Sequence, residues 1–596
     1  MYQLLDFETK QVMKTDDFVF TGESSPWEVK MDIEQIKKRI NLDYFTAAAP
    51  CLAKYLPLMP IQEPANFVSL RETATPLLKS KVIGEQLGID LYFKVEGKNP
   101  TGSFKDRGSS VDITVAKEMG AKGIILASTG NMAASCSCYA AAAKMPCFIV
   151  VPEGVSMSKL AQVISFGGKI VQVKGTYNDA AELAYKLAKR MGFFLAGDYA
   201  FRVEGQKTGA FEIIDQMLFQ VPDRVVIPIG CGTNMTAYAR GFEEYNQLGL
   251  ISKTPKLVGV QATGAKALVN SFEKGSSQIE STVTADTFAT AIAVPDPIDG
   301  TKALAGIYST EGDALDVSDT EMLQAQYLLS TQEGLFVESA SASTVAYLLK
   351  RKEQGLLIEG ETVVCVLSGE GLKDPSVVLN AAIQPPTIFP DEASFMRLYD
   401  SNFFENKTMV FGDRQAEVFA SMPAREKVVS ELGRLFGSHY DDQVIDKIEI
   451  LITKFLEKGK VITISDFQDI VQDVHETLES PRLDTFAVKD FSVSTAKNKI
   501  SEARVRVSIL DKEYEASAQG VGPVDAVVSA LCKACPGEIN FTLTNYRVKI
   551  RGEGVNAVVY VELKILKDGF ASEGHAASPD IIQASVEAFS DAYNAA

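Results

Sequence analysis

The stretch RVVIPIGCGTNMTAYARGFEEY (residues 224–245) reads as three pieces in a row. RVVIPI is apolar on both faces, as a strand covered by helices requires. GCGTN (Gly230–Asn234) is a glycine-bearing loop whose backbone N–H groups can turn toward one phosphate, helped by the start of a helix. MTAYARGFEEY continues as that helix. A lone GxG says little; between a buried strand and a helix it says more. The same alternation extends to both sides. GIILAS, PCFIVVPEG, KIVQVKG, KLVGVQA and TVVCVLSG are short β-branched runs, and several lead into helical segments such as AAELAYKLAKRMG. This pattern predicts an α/β domain with a largely parallel sheet.

A chain of 596 residues has room for about three or four domains. Residues 1–66 are mixed and polar, carry the single tryptophan, Trp27, and read as an N-terminal extension. The strand–helix alternation fills 67–390 and ends where IQPPTIFPDE (383–392) brings prolines. Residues 391–482 read as a helical linker region. Strand patterns return in 483–596. The formal net charge is −18 and no Lys/Arg run is present, so nucleic acid is not an expected partner. No stretch reaches the ~20 apolar residues that span a bilayer, and MYQLLDFETK is no secretory leader, so a cytoplasmic protein is expected. The eight cysteines are scattered, and the one CxxC, Cys532–Cys535, has almost no histidine to accompany it. Reduced thiols are expected rather than a metal. The three histidines are His439, His475 and His575. Chemistry in residues 1–438 therefore runs without imidazole, and lysine is the natural base or nucleophile.

NPTGSFKDRGSS, from Asn99, places such a lysine. Thr101, Gly102 and Ser103 form a turn before Lys105, and DRGSSVDITVAKEMG can continue as a helix. A surface lysine paired with Asp106 is the structural alternative. Three further loops favour chemistry. ASTGNMAAS (Ala127–Ser135) sits at a strand-to-helix junction and offers Asn131 as donor and acceptor. The Gly230, Cys231, Gly232, Thr233, Asn234 loop offers a phosphate site. VLSGEGLKDP (Val366–Pro375) offers the Ser368 hydroxyl after a strand. Together they suggest pyridoxal 5'-phosphate. Lys105 would bond to the aldehyde, Asn131 would meet the ring hydroxyl, and Ser368 would face the pyridine nitrogen. Serine does not hold that nitrogen protonated as an aspartate would, which favours elimination and replacement.

Residues 67–390 resemble the threonine synthase family, fold-type II pyridoxal phosphate enzymes related to tryptophan synthase β. The resemblance rests on NPTGSFKDRG, STGN, VPEG…KLAQ, FRVEGQKTGAFEI, ATAI, ESASASTVA and VLSGEGLKDP, dispersed and in family order. It implies two α/β subdomains, Lys105 as Schiff-base lysine and proton shuttle, and Arg202, Ser103 and Ser128 near the substrate's phosphate or carboxylate. An ion pair of Arg202 with Glu204 or a neighbour is the structural alternative. The implied activity is a carbon–oxygen lyase reaction that turns O-phosphohomoserine into threonine and phosphate, in amino-acid biosynthesis. Replacement on O-phosphoserine with sulfite, as in cysteate synthases, is the alternative within the class. A non-catalytic amino-acid sensor is the alternative outside it. The sequence departs from the family at Met132, at RETATPL (Arg71–Leu77), at AGDYAF before Arg202, and at Glu370.

The C-terminal third contains an echo. SILDKEYEASAQGVGPVDAVVSALCKA can be laid over KILKDGFASEGHAASPDIIQASVEAF, with Asp525 and Asp580 in matching places. EILITKFLEKGKVITISDFQDIV, GVGPVDAVVSAL and SPDIIQASVEAF resemble the linker and regulatory domain of 2-isopropylmalate and citramalate synthases. That resemblance implies a duplicated α+β domain that dimerises, so a homodimer or higher homo-oligomer is expected. It also implies an amino-acid feedback effector at Gly520, Gly522, Asp525, Ser578 and Asp580.

Overall fold

In the computed structural model the described residues are 2–382 except 16–17, 23–24, 41, 48–51, 156, 158–159 and 283, followed by 388, 390–400, 417–419, 422–436, 440, 442–457, 462–463, 466–467, 470–471, 474, 486–496, 499–509, 512–535, 541–551, 558–567, 570–578 and 580–594. The chain divides into two units: the first takes the described residues up to 382 and 434–436, the end of the helix Arg425–Phe436, and the second takes the other described residues.

Two sheets build the first unit. Its strands are β1 (Tyr2–Asp6), β2 (Trp27–Met31), β3 (Leu77–Lys79), β4 (Asp90–Val95), β5 (Ile124–Ala127), β6 (Cys147–Pro152), β7 (Lys169–Val173), β8 (Phe194–Leu195), β9 (Arg224–Pro228), β10 (Lys256–Ala262), β11 (Asp313–Val317) and β12 (Thr362–Leu367). The larger sheet runs β11–β10–β9–β12–β4–β3 and the smaller β7–β6–β5–β8. Every neighbouring pair in them is parallel except β3 with β4. Val225–Pro228 of β9 and Val363–Leu367 of β12 are buried on both faces, which is why these runs show no polar alternation. Consequently the loops after β4, β5, β8, β9 and β12 open at the carboxyl ends of parallel strands, where α/β folds bind ligands.

Residues before β3 join the same core. β1 and β2 form an antiparallel pair. Trp27 and Val29 pack in the cluster that holds Val111 and Phe201. Arg240, on the helix Thr233–Leu248, donates to Val29 O at 2.6 Å and pairs with Glu28 at 2.6 Å.

Among the described residues of the second unit, the helices Glu392–Asp400, Arg425–Phe436 and Asp442–Glu457 come first. A short pairing of Glu417–Phe419 with Ile462–Thr463 also occurs there, in a region read from sequence as helical. Two repeats of three antiparallel strands and a helix follow. The first has strands Phe486–Ser494, Ser501–Ile509 and Lys512–Gly520 and the helix Pro523–Ala534. The second has strands Phe541–Arg551, Val558–Lys567 and Phe570–Ser578 and the helix Ile581–Asn594. Alternating burial along Ser501–Ile509 shows one face on the core and one outward. The repeats interlock: Asn594 exchanges hydrogen bonds with the Phe486 backbone at 2.8 and 2.9 Å, and the Phe486 ring stacks on Tyr593. His439 and His475 lie outside the described residues. Among the described residues no helix is long and apolar enough to cross a membrane.

Candidate active site

Asp106 and Arg107, not Lys105, hold the NPTGSFKDRG loop in place. Asp106 accepts the Thr101 backbone N–H at 2.7 Å and its hydroxyl at 2.6 Å. Arg107 reaches Glu96, just after β4, through Nε at 2.7 Å and Nη2 at 2.8 Å. On its other side it reaches Glu212, on the helix Thr208–Gln216, at 2.7 and 2.8 Å. All three side chains are buried, and Lys94 adds a second cation 2.7 Å from Glu212. Gly205, on the helix Ala200–Gln206, lets that helix approach Arg107: a Cβ there would fall 2.0 Å from Arg107 O. The aspartate and arginine of the motif are therefore scaffolding. They leave Lys105, the first residue of the helix Lys105–Glu118, to point its amine elsewhere.

That amine faces a cavity of about 1020 Å³ lined by Lys105, Ser128, Asn131, the Gly230–Asn234 loop and Ser368. The sequence motifs meet there although they are up to 263 positions apart in the chain, from Lys105 to Ser368. Phe104 N donates to Ser368 O at 2.9 Å, joining two of the loops. The Ser368 hydroxyl lies 3.1 Å from the Ser341 hydroxyl, and the Ser128 hydroxyl accepts the Gly130 N–H at 3.3 Å. Gly232 caps the helix Thr233–Leu248 with φ +91°, where a Cβ would lie 2.9 Å from the Asp299 backbone. A Cβ at Gly230 would lie 2.9 Å from Ala291 O. Both polar atoms of the Asn234 side chain are buried without a partner. A backbone cradle at a helix start, with orphaned polar atoms beside it, fits a phosphate-bearing cofactor.

Two expected residues sit differently. Ser103 is fully buried and, unlike its neighbours Gly102 and Phe104, does not line the cavity. Arg202 does not line it either. Its guanidinium is wholly buried and pairs with Asp112 at 2.8 Å, on the helix that begins with Lys105. It also donates to Lys105 O at 3.2 Å and Gly197 O at 2.8 Å. The structural alternative is thus the geometry found, with Asp112 in place of Glu204. Arg202 braces the backbone of Lys105 and is not placed to meet a substrate anion.

Sequence reasoning missed four cavity residues: Asp198, Glu338, Lys373 and Gln162. Asp198 Oδ1 is 2.9 Å from Lys105 Nζ. Lys373 Nζ donates to Thr101 O at 3.0 Å and to Gln162. Glu338 takes both hydrogen bonds from Asn131 Nδ2, at 2.9 and 3.0 Å. Glu338 opens ESASASTVA, Lys373 sits in VLSGEGLKDP and Gln162 in KLAQ, so their motifs were visible although their role was not.

Burial pushes the Glu338 carboxyl up to about 7, against the Asn131 hydrogen bonds that favour its charge. Between about pH 4.5 and 7 the unfolded chain has released this proton while the folded chain still holds it, so stability declines as pH rises. Glu338→Gln is expected to remove about 2–3 kcal/mol of that decline. The check is the thermal midpoint of both proteins across this pH range, followed by Trp27 fluorescence. Parallel curves would refute it.

In the second unit, Gly520 ends a strand and Gly522 caps the helix Pro523–Ala534. Asp525 accepts Val521 N at 2.8 Å. In the matching loop Asp580 accepts Ile582 N at 2.7 Å, and the buried Ser578 hydroxyl accepts Asp580 N at 3.3 Å. Both carboxylates accept backbone N–H groups of their own junctions.

Comparison with known proteins agrees with this arrangement. Residues 68–369 match the family "Pyridoxal-phosphate dependent enzyme", and residues 461–596 match the "LeuA allosteric (dimerisation) domain". The chain is 42% identical over 374 residues to a threonine synthase of Methanocaldococcus jannaschii, covering 62% of this chain and 92% of that protein. It is 38% identical over 392 residues to a threonine synthase of Methanosarcina acetivorans, covering 65% and 96%. Among solved structures, maize serine racemase is similar at 22% identity and a TM-score of 0.46, covering 51% of this chain and 91% of that one. The chain belongs to the pyridoxal-phosphate dependent enzymes, as a lyase with threonine synthases among its relatives and a LeuA-type domain at its C-terminal end.

Proposed function

We propose that the chain is a threonine synthase that converts O-phosphohomoserine and water into threonine and phosphate. The observation that carries this reading is the opening of the Lys105 amine and the Gly230–Asn234 cradle into one cavity. When bound, pyridoxal phosphate supplies an electron sink for the substrate's Cα. Lys105 would hold the cofactor and move protons at Cα, Cβ and Cγ. The Gly230–Asn234 loop would take the cofactor phosphate, with Asn131 and Ser368 as further polar contacts. In the overall balance the Cα–H bond, one Cβ–H bond and the Cγ–O bond break, the hydroxyl of water joins Cβ, and of the three protons released one returns to Cα, one goes to Cγ and one leaves with phosphate.

Lys373 is the cavity cation suited to the substrate's own phosphate or carboxylate. Burial pulls its ammonium down, and Glu338 opposes that fall. Lys373→Met is expected to raise KM about 10- to 100-fold with kcat within about threefold. Equal losses in kcat and kcat/KM would contradict a ground-state binding role. The reaction itself is tested by phosphate release from O-phosphohomoserine and from O-phosphoserine, each with and without sulfite. Threonine and phosphate in equal amounts support the proposal. Release from O-phosphoserine alone, with cysteate formed, would replace it.

The C-terminal domain is read as the seat of feedback control in a homodimer. Its support is the match of residues 461–596 to the LeuA allosteric (dimerisation) domain and the pair of matching strand–loop–helix junctions. Activity and oligomeric state that stay constant across branched-chain and aspartate-family amino acids would end this reading.

A further inference from the structure

The geometry points to Asp198 as the proton acceptor for Lys105: its Oδ1 takes a proton from Nζ when the lysine must bond to the cofactor, and returns it when the lysine is released. The inference rests on Lys105 being the linking amine.

An ammonium has no lone pair, so Lys105 has to lose a proton before its nitrogen can attack an aldehyde. The proton needs a base within hydrogen-bond reach. Residues 1–438 contain no histidine. Among the described acidic side chains, the one at Lys105 Nζ is Asp198, at 2.9 Å. Both residues line the cavity, and the Asp198 side chain is only 4% exposed. In the transfer one N–H bond breaks, one O–H bond forms, and the freed electron pair stays on nitrogen. No further reactant is needed.

The surroundings keep Asp198 ionised, in the form that accepts a proton. Burial alone would push its carboxyl up, but Lys105 first and then Arg202 more than offset this, and it is held below the usual range. The Cys231 thiol is its other side-chain hydrogen-bond partner. The acids Asp112 and Asp299 face it from other elements, each with its own cation, Arg202 and Lys302. The phenols of Tyr177 and Tyr199 lie nearby, and burial pushes both up, so they stay protonated at neutral pH. Asp198 belongs to AGDYAF, where this chain departs from the threonine synthase pattern.

The test follows cofactor capture rather than turnover. The full-length chain is stripped of cofactor and mixed with pyridoxal phosphate, and the rise of visible absorbance is timed between about pH 6 and 9. Asp198→Asn is expected to capture at least about tenfold more slowly near pH 7, with the deficit closing toward pH 9 as solvent base takes over. Asp198→Ala should behave likewise and be accelerated by added formate. Wild-type rates in both variants, a deficit equal at every pH, or no response to formate would overturn the proposal. Borohydride reduction and peptide mass analysis of the wild type test the premise separately. A label on a lysine other than Lys105 would remove the premise, whatever the Asp198 variants show.

Discussion

Lys105→Ala is expected to lower kcat/KM by at least about 10³-fold, some 4 kcal/mol of transition-state stabilisation, and to abolish the borohydride-sensitive visible absorbance. The size follows from the lysine's double use. In the proposed reaction it fixes the cofactor and is the base that works at the substrate carbons. No other group is built to replace it. Lys373 is the other amine of the Lys105 cavity that sequence motifs supply, but Thr101 O and Gln162 hold it across the site. Alanine is a good helix former at the first position of Lys105–Glu118, so the helix itself should persist. The variant does leave the buried Asp198 without its cation, and its thermal midpoint should fall somewhat. Cofactor retention after dialysis and circular dichroism separate lost chemistry from lost fold. A variant that keeps its visible band and its activity would disprove the assignment of Lys105.

Particular residues show how much of this was legible beforehand. GCGTN between RVVIPI and a helix announced the cradle, because strand burial, glycine and helix start are all local features. The turn-then-helix setting of Lys105 was legible for the same reason: it is contained in twelve consecutive residues. The duplicated C-terminal unit was visible as two matching strand–loop–helix runs. Arg202 was misjudged because its direction is set by Asp112, 90 positions earlier and one face of a helix away. Glu338 was missed because its partner, Asn131, lies 207 positions away. Asp525 and Asp580 were read as facing an effector, whereas each side chain is engaged in its own loop. Side-chain partners across long separations depend on the packing of helices against two sheets, and local patterns do not encode that.

Arg107→Met should be the most destabilising of the substitutions considered, by about 3–5 kcal/mol, the usual cost of breaking a buried ion pair on one side only. Methionine fills much of the volume but donates nothing. Glu96 and Glu212, both fully buried, would be left facing each other with Lys94 as the remaining cation. Burial by itself would push Glu212 up, yet Arg107 and then Lys94 overcome it and hold the carboxyl at about 2. A depressed carboxyl contributes stability that is present above the unfolded value of about 4.3 and is lost as pH falls toward 2. In the variant that contribution is largely gone already at neutral pH. The gap between wild type and variant should therefore be widest near pH 7 and narrow steadily below about pH 4.5. Trp27, the chain's single tryptophan, packs in the core of the first unit, so its fluorescence during urea unfolding reports this unit without interference from the second. A midpoint that does not move, or a gap of constant size down to acid pH, would show that Glu96 and Glu212 find other partners. The lysine loop would then owe its shape to Asp106 and Thr101 alone.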